Sequence, residues 1–204
     1  MIRFRDAALR ERLPDLGLRG AQVDGLLALL NLIEGDPGWQ DVRQVAYLLA
    51  TIRWETGHTF RPIRERRAKP EQAKLRRLQD RYWHTGYYGR GLVQLTWEGN
   101  YSKASERLTG SEMFLDDRSL LVVGPQTFLQ QPDLLLQLEP SYWIAARGMR
   151  EGWFTGRKLA DYIRPGAETD YRNARRIING LDRAEEIGVL AWEFERVLSW
   201  ALLT

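Results

Sequence analysis

The sequence of 204 residues contains no cysteine and only two histidines, His58 and His84. The chain therefore has no disulfide framework and no thiolate metal site, and two histidines are too few for a histidine-rich metal centre. No stretch approaches the roughly 18 uninterrupted apolar residues of a membrane span, and the first residues lack the apolar run of a signal peptide. These absences predict a protein that uses no metal or other cofactor, has no transmembrane segment and is made in the cytoplasm.

The apolar content is sufficient for a folded core. Hydrophobic residues make up 44% of the chain, with 8 Trp, 8 Tyr and 6 Phe among the aromatic ones. At this length such a composition supports one large domain or two small ones and argues against disorder. The sequence shows no internal repeat, low-complexity linker or separate binding module, so we expect residues 1–204 to form a single domain with two lobes.

Positive charge is concentrated in the segment 64–81, which begins at Arg64 and ends at Arg81. This segment contains eight basic and three acidic residues, although the formal net charge of the whole chain is only +3. A basic surface favours a polyanionic partner such as an anionic cell wall, an outer-membrane surface or a nucleic acid. The alternative is an ordinary solvated face of a helix.

Apolar residues at helical spacing dominate the chain, which predicts a mainly α fold. Residues 23–33 form one amphipathic pattern, which ends at a Gly-Asp-Pro-Gly breaker, and residues 40–55 form a second. Residues 92–97 alternate like a short strand, with Gln94 and Thr96 on one side, so any sheet is small. We expect residues 110–132 to be a loop with a short helix, and four further helices at residues 100–108, 140–150, 169–178 and 184–203.

Glu55 lies at the predicted end of the second helix, next to Gly57, and shares the apolar face of that helix. Partial burial and the negative end of the helix dipole both favour the protonated form of a carboxyl in such a place. A protonated carboxyl is what the general acid of glycosidic cleavage requires. The alternative is an ordinary ion pair at the helix end, with Arg53 or Arg64 as the partner.

A second carboxylate, Glu65, follows ten residues later, beyond Pro62. In one continuous helix the two carboxylates would be about 15 Å apart, but Pro62 interrupts a helix and allows the chain to loop back. A separation of roughly 6.5–9.5 Å would leave room for a water molecule and predicts hydrolysis with inversion at the anomeric carbon. The alternative is that Glu65, which lies in a run of arginines, forms only a surface salt bridge.

The segment after Gly89 and Gly91 supplies a hydroxyl and an amide. The Thr96 hydroxyl can accept from and donate to a water molecule, and Gln94 on the same face can bind a sugar amide or hydroxyl. The two glycines permit tight backbone turns beside these residues. The alternative is that this Gln-Leu-Thr segment is purely structural.

Together these motifs resemble family 19 glycoside hydrolases, a group that contains plant-type chitinases and many bacteriophage endolysins of the lysozyme type. The similarity runs from residue 21 to residue 198. It rests on ordered motifs at residues 46–51, 54–57, 88–91, 94–97, 100–101 and 177–180. Several motifs in the same order are more specific than any one of them.

The resemblance implies that Glu55 is the general acid, that Glu65 is the general base and that Thr96 positions the attacking water. It also implies a set of residues that bind the sugar chain, namely Gln94, Asn100, Asn179, Tyr88 and Arg90. The fold it implies is a mainly helical, lysozyme-like catalytic domain of two lobes, with a small β element beside the active-site cleft. No metal and no separate wall-binding module belong to this expectation.

Chitin and peptidoglycan both present β-1,4-linked N-acetylhexosamine, so the catalytic residues alone do not separate these substrates. The absence of cysteine and of an export signal, the basic segment and the short single domain resemble the phage-type branch of the family. We therefore expect a monomeric endolysin that cuts peptidoglycan strands between N-acetylmuramic acid and N-acetylglucosamine. It would leave the host cytoplasm through a holin-like or secretion partner. A bacterial chitinase is one alternative, and a non-catalytic module that binds cell wall or a polyanion is another; no nucleic acid is required.

Overall fold

The computed structural model describes residues 1–203. These residues form ten α-helices: α1 (Asp6–Arg12), α2 (Ala21–Gly35), α3 (Val42–Glu55), α4 (Ala73–Asp80), α5 (Glu98–Leu108), α6 (Thr127–Gln130), α7 (Leu138–Glu151), α8 (Leu159–Tyr162), α9 (Tyr171–Ala174) and α10 (Ala184–Ala201). They also form strands β1 (Ile63–Arg64), β2 (Arg90–Gly91), β3 (Glu112–Phe114) and β4 (Leu120–Val122), and 3₁₀ helices at Leu13–Leu16, Trp83–Thr85, Pro132–Leu136 and Arg175–Ile177. The prediction of a mainly α fold with small β elements is confirmed, and this architecture is consistent with the lysozyme-like class.

The chain divides into two compact units. Unit 1 contains residues 1–60 and 145–203, and unit 2 contains Arg61–Ile144. Helix α7 contributes its first half to unit 2 and its second half to unit 1. No helix within residues 1–203 is both long and apolar enough to cross a membrane.

The core of unit 1 is formed by α2, α3 and α10, whose apolar residues recur at helical spacing, and α3 packs closely against α10. Side chains fully buried from these helices include Leu26, Leu29, Ile33, Val45, Leu48, Leu49, Ile52, Ile187, Phe194 and Leu198. Phe60 meets Phe194 edge to face, with 6.0 Å between the ring centroids. Burying one such side chain contributes about 1.5–3 kcal/mol, so this cluster fixes the position of α3.

Helix α3 has a defined start and a defined end. It begins after Asp41, whose carboxylate accepts a hydrogen bond from the Arg43 N–H at 3.0 Å as a helix N-cap. It ends at Glu55, because Gly57 adopts left-handed backbone with a φ of 58°. The helix predicted at residues 40–55 is therefore confirmed, apart from its first two residues.

The strand predicted at residues 92–97 is wrong. Strand β2 ends at Gly91, and the chain then turns so that Leu95 pairs back with Arg90 through two backbone hydrogen bonds of 2.9 and 3.1 Å. Gly91 and Gln94 both have left-handed backbone, with φ of 86° and 52°, which is incompatible with a strand. The polar side chains expected on one strand face therefore lie around a tight turn.

Both sheets of the described chain have two strands. In unit 2, β1 pairs antiparallel with β2, and Ile63 lies opposite Gly91. Strands β3 and β4 form a hairpin in which Phe114 lies opposite Leu120. This hairpin falls in residues 110–132, where only a loop with a short helix was predicted, and the short helix is α6. Strands of three residues carry too little alternation to be recognised in the sequence.

Candidate active site

Glu55 is the last residue of α3, and its carboxylate lies beside a buried arginine of the same unit. Arg175 Nη1 donates a hydrogen bond to Glu55 Oε1 at 2.6 Å, and the two side chains are 4% and 16% exposed. Glu55 Oε2 accepts no hydrogen bond from any residue between 1 and 203. The alternative interpretation of Glu55 as an ion-paired residue is thus correct in kind, but the partner is Arg175 and not Arg53 or Arg64.

Backbone groups hold Arg175 in place. Its Nε donates to the carbonyl of Asp182 at 3.0 Å, and its own carbonyl accepts the N–H of Asn179 at 3.0 Å. Asn179 itself is exposed, and its side chain accepts the N–H of Gly180 at 2.8 Å. Asn179, which was predicted to bind the sugar chain, therefore lies one turn from the partner of Glu55. The sequence gives no sign of this ion pair, because its two residues are 120 positions apart.

Glu65 follows β1 in unit 2 and is half-buried. Its Oε1 accepts hydrogen bonds from Gln79 Nε2 and Tyr82 Oη, and its Oε2 accepts the N–H of Gly89, all at 2.8 Å. None of the three donors carries a charge, and Glu65 forms no ion pair with a residue of the described chain. The alternative of a surface salt bridge therefore does not hold. Three fixed donors give this carboxylate a single orientation.

Neither of the two side chains that hold Glu65 was predicted from the sequence. Gln79 is the buried residue of α4, and its amide oxygen accepts the N–H of Ala68 at 2.6 Å while its nitrogen also donates to the Arg66 carbonyl at 2.9 Å. Burial and the hydrogen bond to Glu65 raise the pKa of Tyr82 well above its usual value, so Tyr82 keeps its proton and remains a donor. A buried polar residue on an otherwise charged helix is the signal that could have indicated Gln79.

Gly89 allows the backbone to approach Glu65 closely. Besides the bond to Oε2, the Gly89 carbonyl accepts the N–H of Glu65 at 2.7 Å. A Cβ at this position would lie 3.1 Å from Glu65 Oε2 and 2.9 Å from Gln94 Oε1. The missing side chain is therefore what lets Glu65 and Gln94 lie side by side.

Gln94, Thr96 and Asn100 are linked by hydrogen bonds to the backbone of the same turn. Gln94 Nε2 donates to the carbonyls of Ile63 and Gly91 at 3.0 and 3.1 Å. Thr96 Oγ1 donates to the Gln94 carbonyl at 3.0 Å, and Asn100 Nδ2 donates to the Thr96 carbonyl at 2.8 Å. These bonds support the structural interpretation of the segment. They still leave the Thr96 hydroxyl its lone pairs for a water molecule or a sugar hydroxyl.

Arg90 is only 4% exposed, and protein groups engage its guanidinium. Nε donates to the Asp133 carboxylate at 2.7 Å, and Nη1 donates to the Gly86 carbonyl at 2.8 Å and to the Tyr101 hydroxyl at 3.0 Å. The guanidinium carbon also lies 4.0 Å from the ring centroid of Tyr88, a cation–π contact. Arg90 therefore fixes the ring of Tyr88, and contact of either residue with a sugar stays a prediction.

Trp97 is an exposed aromatic residue beside Thr96 that was not predicted as a site residue. It is 42% exposed and its backbone is left-handed, with a φ of 77°. Its ring packs edge-on against Tyr82 at 5.0 Å between centroids, and the Arg81 guanidinium lies 5.5 Å from it. Because Tyr82 donates to Glu65, Trp97 offers an exposed indole close to that carboxylate, and such rings are favourable contact surfaces for ligands.

Each unit thus gathers part of the predicted site. Unit 2 places Glu65 next to Gln94 and the hydrogen-bonded turn that follows it, and unit 1 holds Glu55 against Arg175. Within residues 1–203, no group of three or more His, Asp or Glu side chains is arranged to hold a metal ion. Neither a comparison with protein-family models nor a search of curated proteins finds a match for this chain.

Proposed function

We propose that this chain is a glycoside hydrolase that cleaves peptidoglycan at the β-1,4 bond between N-acetylmuramic acid and N-acetylglucosamine, with inversion. Glu55 protonates the leaving oxygen as the general acid, and Glu65 activates the attacking water as the general base. The resemblance of the sequence motifs to family 19 glycoside hydrolases is the starting point of the proposal. The arrangement around the Glu65 carboxylate is the observation that supports it most strongly.

Glu65 has surroundings suited to a general base. Its charge meets only the neutral donors Gln79, Tyr82 and the Gly89 N–H, so no cation competes with a water proton for the carboxylate. Oε2 accepts a single hydrogen bond and keeps a lone pair for the proton of a water molecule. A fixed carboxylate with one free lone pair fits the geometry that proton abstraction needs.

Arg175 orients the Glu55 carboxyl through one oxygen, and in the proposal Glu55 takes up the proton that it donates before the sugar bond is cleaved. Arg175 holds Oε1, and Oε2 has no partner among residues 1–203, so Oε2 is the atom that carries the transferred proton in the proposal. After the transfer, the guanidinium stabilises the carboxylate that remains through a charge-assisted hydrogen bond.

The remaining polar residues act in binding and positioning. In the proposal the Thr96 hydroxyl, whose proton is donated to the Gln94 carbonyl, accepts a hydrogen bond from the attacking water. The sugar chain is bound by Gln94, Asn100, Asn179 and Tyr88, and the buried Arg90 fixes the ring of Tyr88. Trp97 adds an exposed aromatic surface beside them.

The basic segment and the absence of cysteine favour a phage-type endolysin over a chitinase. We extend the proposal to this setting: the protein acts as a monomer on the bacterial cell wall after a holin-like or secretion partner releases it from the cytoplasm. A bacterial chitinase would use the same residues on chitin oligomers.

The Glu55–Arg175 ion pair favours a second candidate function of another class. A buried pair of this kind is a common structural element, and a module that only binds cell wall would need no proton donor. Under this alternative Glu55 stabilises unit 1 and takes no part in chemistry.

Product analysis separates these functions. Purified peptidoglycan and a chitin oligomer are each incubated with the protein, and the products are examined by mass spectrometry after borohydride reduction, with NMR of the first-formed anomer. The proposal expects new reducing ends on N-acetylmuramic acid, formed with inversion. Turnover of chitin alone indicates the chitinase, and turnover of neither substrate together with wall binding indicates the binding module.

Glu55→Gln is the matching variant. The amide preserves the shape of the side chain and removes the proton, so we expect turnover to fall by about 10²–10⁴-fold, with wall binding nearly unchanged. Reducing-end release and co-sedimentation with purified wall are the two measurements. Unimpaired turnover in Glu55→Gln would show that the acid lies elsewhere.

A further inference from the structure

Helix α4 exposes leucines among basic residues. Leu75 and Leu78 are 44% and 50% exposed and lie one turn apart. Lys74 directly precedes Leu75, and Arg77 directly precedes Leu78. Both basic residues are exposed, as is Lys69 just before the helix. We call these five residues the α4 surface. Two large apolar side chains on a short basic helix thus leave about half of their surface in water.

The charge of the α4 surface is not neutralised within the described chain. Three other basic residues of the segment are bound to protein groups, namely Arg64 to Asp133, Arg67 to Asp80 and Arg76 to the Ala68 carbonyl. Lys69, Lys74 and Arg77 form no ion pair with any residue from 1 to 203. Between residues 69 and 79 the sequence has only one acid, Glu71, against four basic residues.

The helix is fastened to unit 2 through Gln79, which follows Leu75 by one turn. Gln79 is buried and bonds to Glu65, to the Arg66 carbonyl and to the Ala68 N–H. No residue of the α4 surface takes part in these hydrogen bonds. The surface is therefore available to a partner without any change in how α4 is held.

Leucines and cations in one place indicate the chemistry of the partner. A nucleic acid or an anionic glycan would bind the cations and leave the leucines in water. An anionic lipid surface satisfies both, because phosphate headgroups bind Lys and Arg while the leucines enter the boundary of the acyl chains. We propose that the α4 surface docks this protein on anionic lipid membranes. This inference does not depend on the glycosidase proposal.

Co-sedimentation of the full chain with lipid vesicles tests the docking. Vesicles of phosphatidylcholine with phosphatidylglycerol should bind the protein, and vesicles of phosphatidylcholine alone should not. Lys74→Glu combined with Arg77→Glu should lower the partition coefficient at least about tenfold, because basic residues near an anionic surface each add to the attraction. Leu75→Ser combined with Leu78→Ser should lower it about tenfold through lost apolar insertion, and should remove the binding that persists at high salt.

Two double variants serve as matched controls. Arg19→Glu with Arg157→Glu changes the net charge by the same amount at exposed positions of unit 1, and Phe114→Ser with Leu120→Ser removes two exposed apolar side chains from the hairpin. Both should bind vesicles as the wild type does.

Melting curves check that every variant is folded. Turnover of purified peptidoglycan, which contains no lipid, should be the same in both α4 variants as in the wild type, and vesicle binding is measurable even if no protein turns over the wall.

Four results would overturn the proposal. The first is equal binding of the wild type to charged and uncharged vesicles, and the second is wild-type binding by the Lys74→Glu, Arg77→Glu protein. The third is binding to duplex DNA without binding to anionic vesicles, which would make the α4 surface a nucleic-acid site. Loss of vesicle binding only in the hairpin variant would likewise move the docking surface away from α4.

Discussion

Glu55 in unit 1 is bound through one oxygen by the buried guanidinium of Arg175, whereas Glu65 in unit 2 is bound through both oxygens by an amide, a phenol and a backbone N–H. The first carboxylate therefore has a counter-charge and a free oxygen. The second has a fixed orientation and no counter-charge. Both residues look alike in the sequence, as acids near arginines and glycines, and their neighbours in space give them different chemistry.

The two environments also differ in what they contribute to stability. The Glu55–Arg175 pair is desolvated, so the loss of one partner leaves a buried charge uncompensated. The donors to Glu65 are all uncharged, so the loss of one of these hydrogen bonds costs less. Variants of the Glu55–Arg175 pair that leave a buried charge should therefore lose mainly stability, whereas variants of Glu65 should lose mainly turnover.

The largest effect is expected from Arg175→Ala. Removing one partner of a buried ion pair should lower the free energy of unfolding by about 3–5 kcal/mol, measured by urea denaturation. In a Glu55→Gln background the loss should be clearly smaller, because no charge is left behind. Arg172→Ala, which breaks an exposed pair with Glu185, is the control and should cost at most about 1 kcal/mol. Equal losses of unfolding free energy in Arg175→Ala and Arg172→Ala would show that the Glu55–Arg175 pair does not stabilise unit 1 electrostatically.

Glu65→Gln comes next. All three partners of Glu65 are donors, so an amide must place its NH₂ against one of them, which costs about 1–3 kcal/mol of stability. Loss of the base should reduce kcat by about 10²-fold or more, unless another acid activates water. Glu71→Gln removes an exposed acid of the same segment and should leave both quantities unchanged. Wild-type kcat in Glu65→Gln would place the base elsewhere, with Glu71 as the next candidate.

Thr96→Val should have a moderate effect on rate and a small one on stability. The variant loses the bond to the Gln94 carbonyl, worth about 0.5–1.5 kcal/mol, together with the hydroxyl proposed to position water. We expect lower kcat at a nearly unchanged melting temperature. A large fall in melting temperature would indicate that Thr96 is structural, in the same sense as its bonded neighbours.

The smallest effect is expected from His58, near Glu55, and concerns the pH dependence of stability. Arg53 Nε donates to His58 Nδ1 at 3.1 Å, which requires a neutral imidazole. Burial and the Arg53 charge lower the pKa of His58 below 6.5, so the unfolded chain takes up this proton first as the pH falls. The contribution of His58 to stability is thus complete above pH 6.5 and is lost between this value and the folded-state pKa. Asparagine tolerates the left-handed backbone at this position, so His58→Asn should remain folded. In this variant the melting temperature should depend less on pH over this range than in the wild type, and an unchanged pH dependence would contradict the role given to His58.

Helices with a continuous apolar stripe could be predicted from the sequence. Helices α3 and α10 show this, because burial on one face imposes helical spacing on a long stretch. Helix α4 was indicated only by the alternative of a solvated helical face within residues 64–81, because its two leucines are exposed and the residue that holds it, Gln79, is polar. The strand predicted at residues 92–97 failed for a related reason: its alternation arises from a turn with two left-handed residues, and alternation alone does not reveal backbone handedness.

The candidate site could be predicted only in part. Glu55 and Glu65 are recognisable because motifs near in sequence surround them. Arg175, Gln79 and Tyr82 are not, because they reach these carboxylates through tertiary packing across 120, 14 and 17 positions. The side chains that tune a carboxylate are therefore harder to find in a sequence than the carboxylate itself.

The amide of Gln79 makes all its hydrogen bonds to one short stretch of chain, since it donates to Glu65 and to the Arg66 carbonyl and accepts the N–H of Ala68. A flip of that side-chain amide, which exchanges its oxygen and nitrogen, would break all of these hydrogen bonds together. The opening that exposes the Ala68 N–H to solvent is thus the same event that releases Glu65 from Gln79. The rate of hydrogen–deuterium exchange at the Ala68 amide therefore reports how stably Gln79 holds the carboxylate, and it can be measured in the protein without substrate.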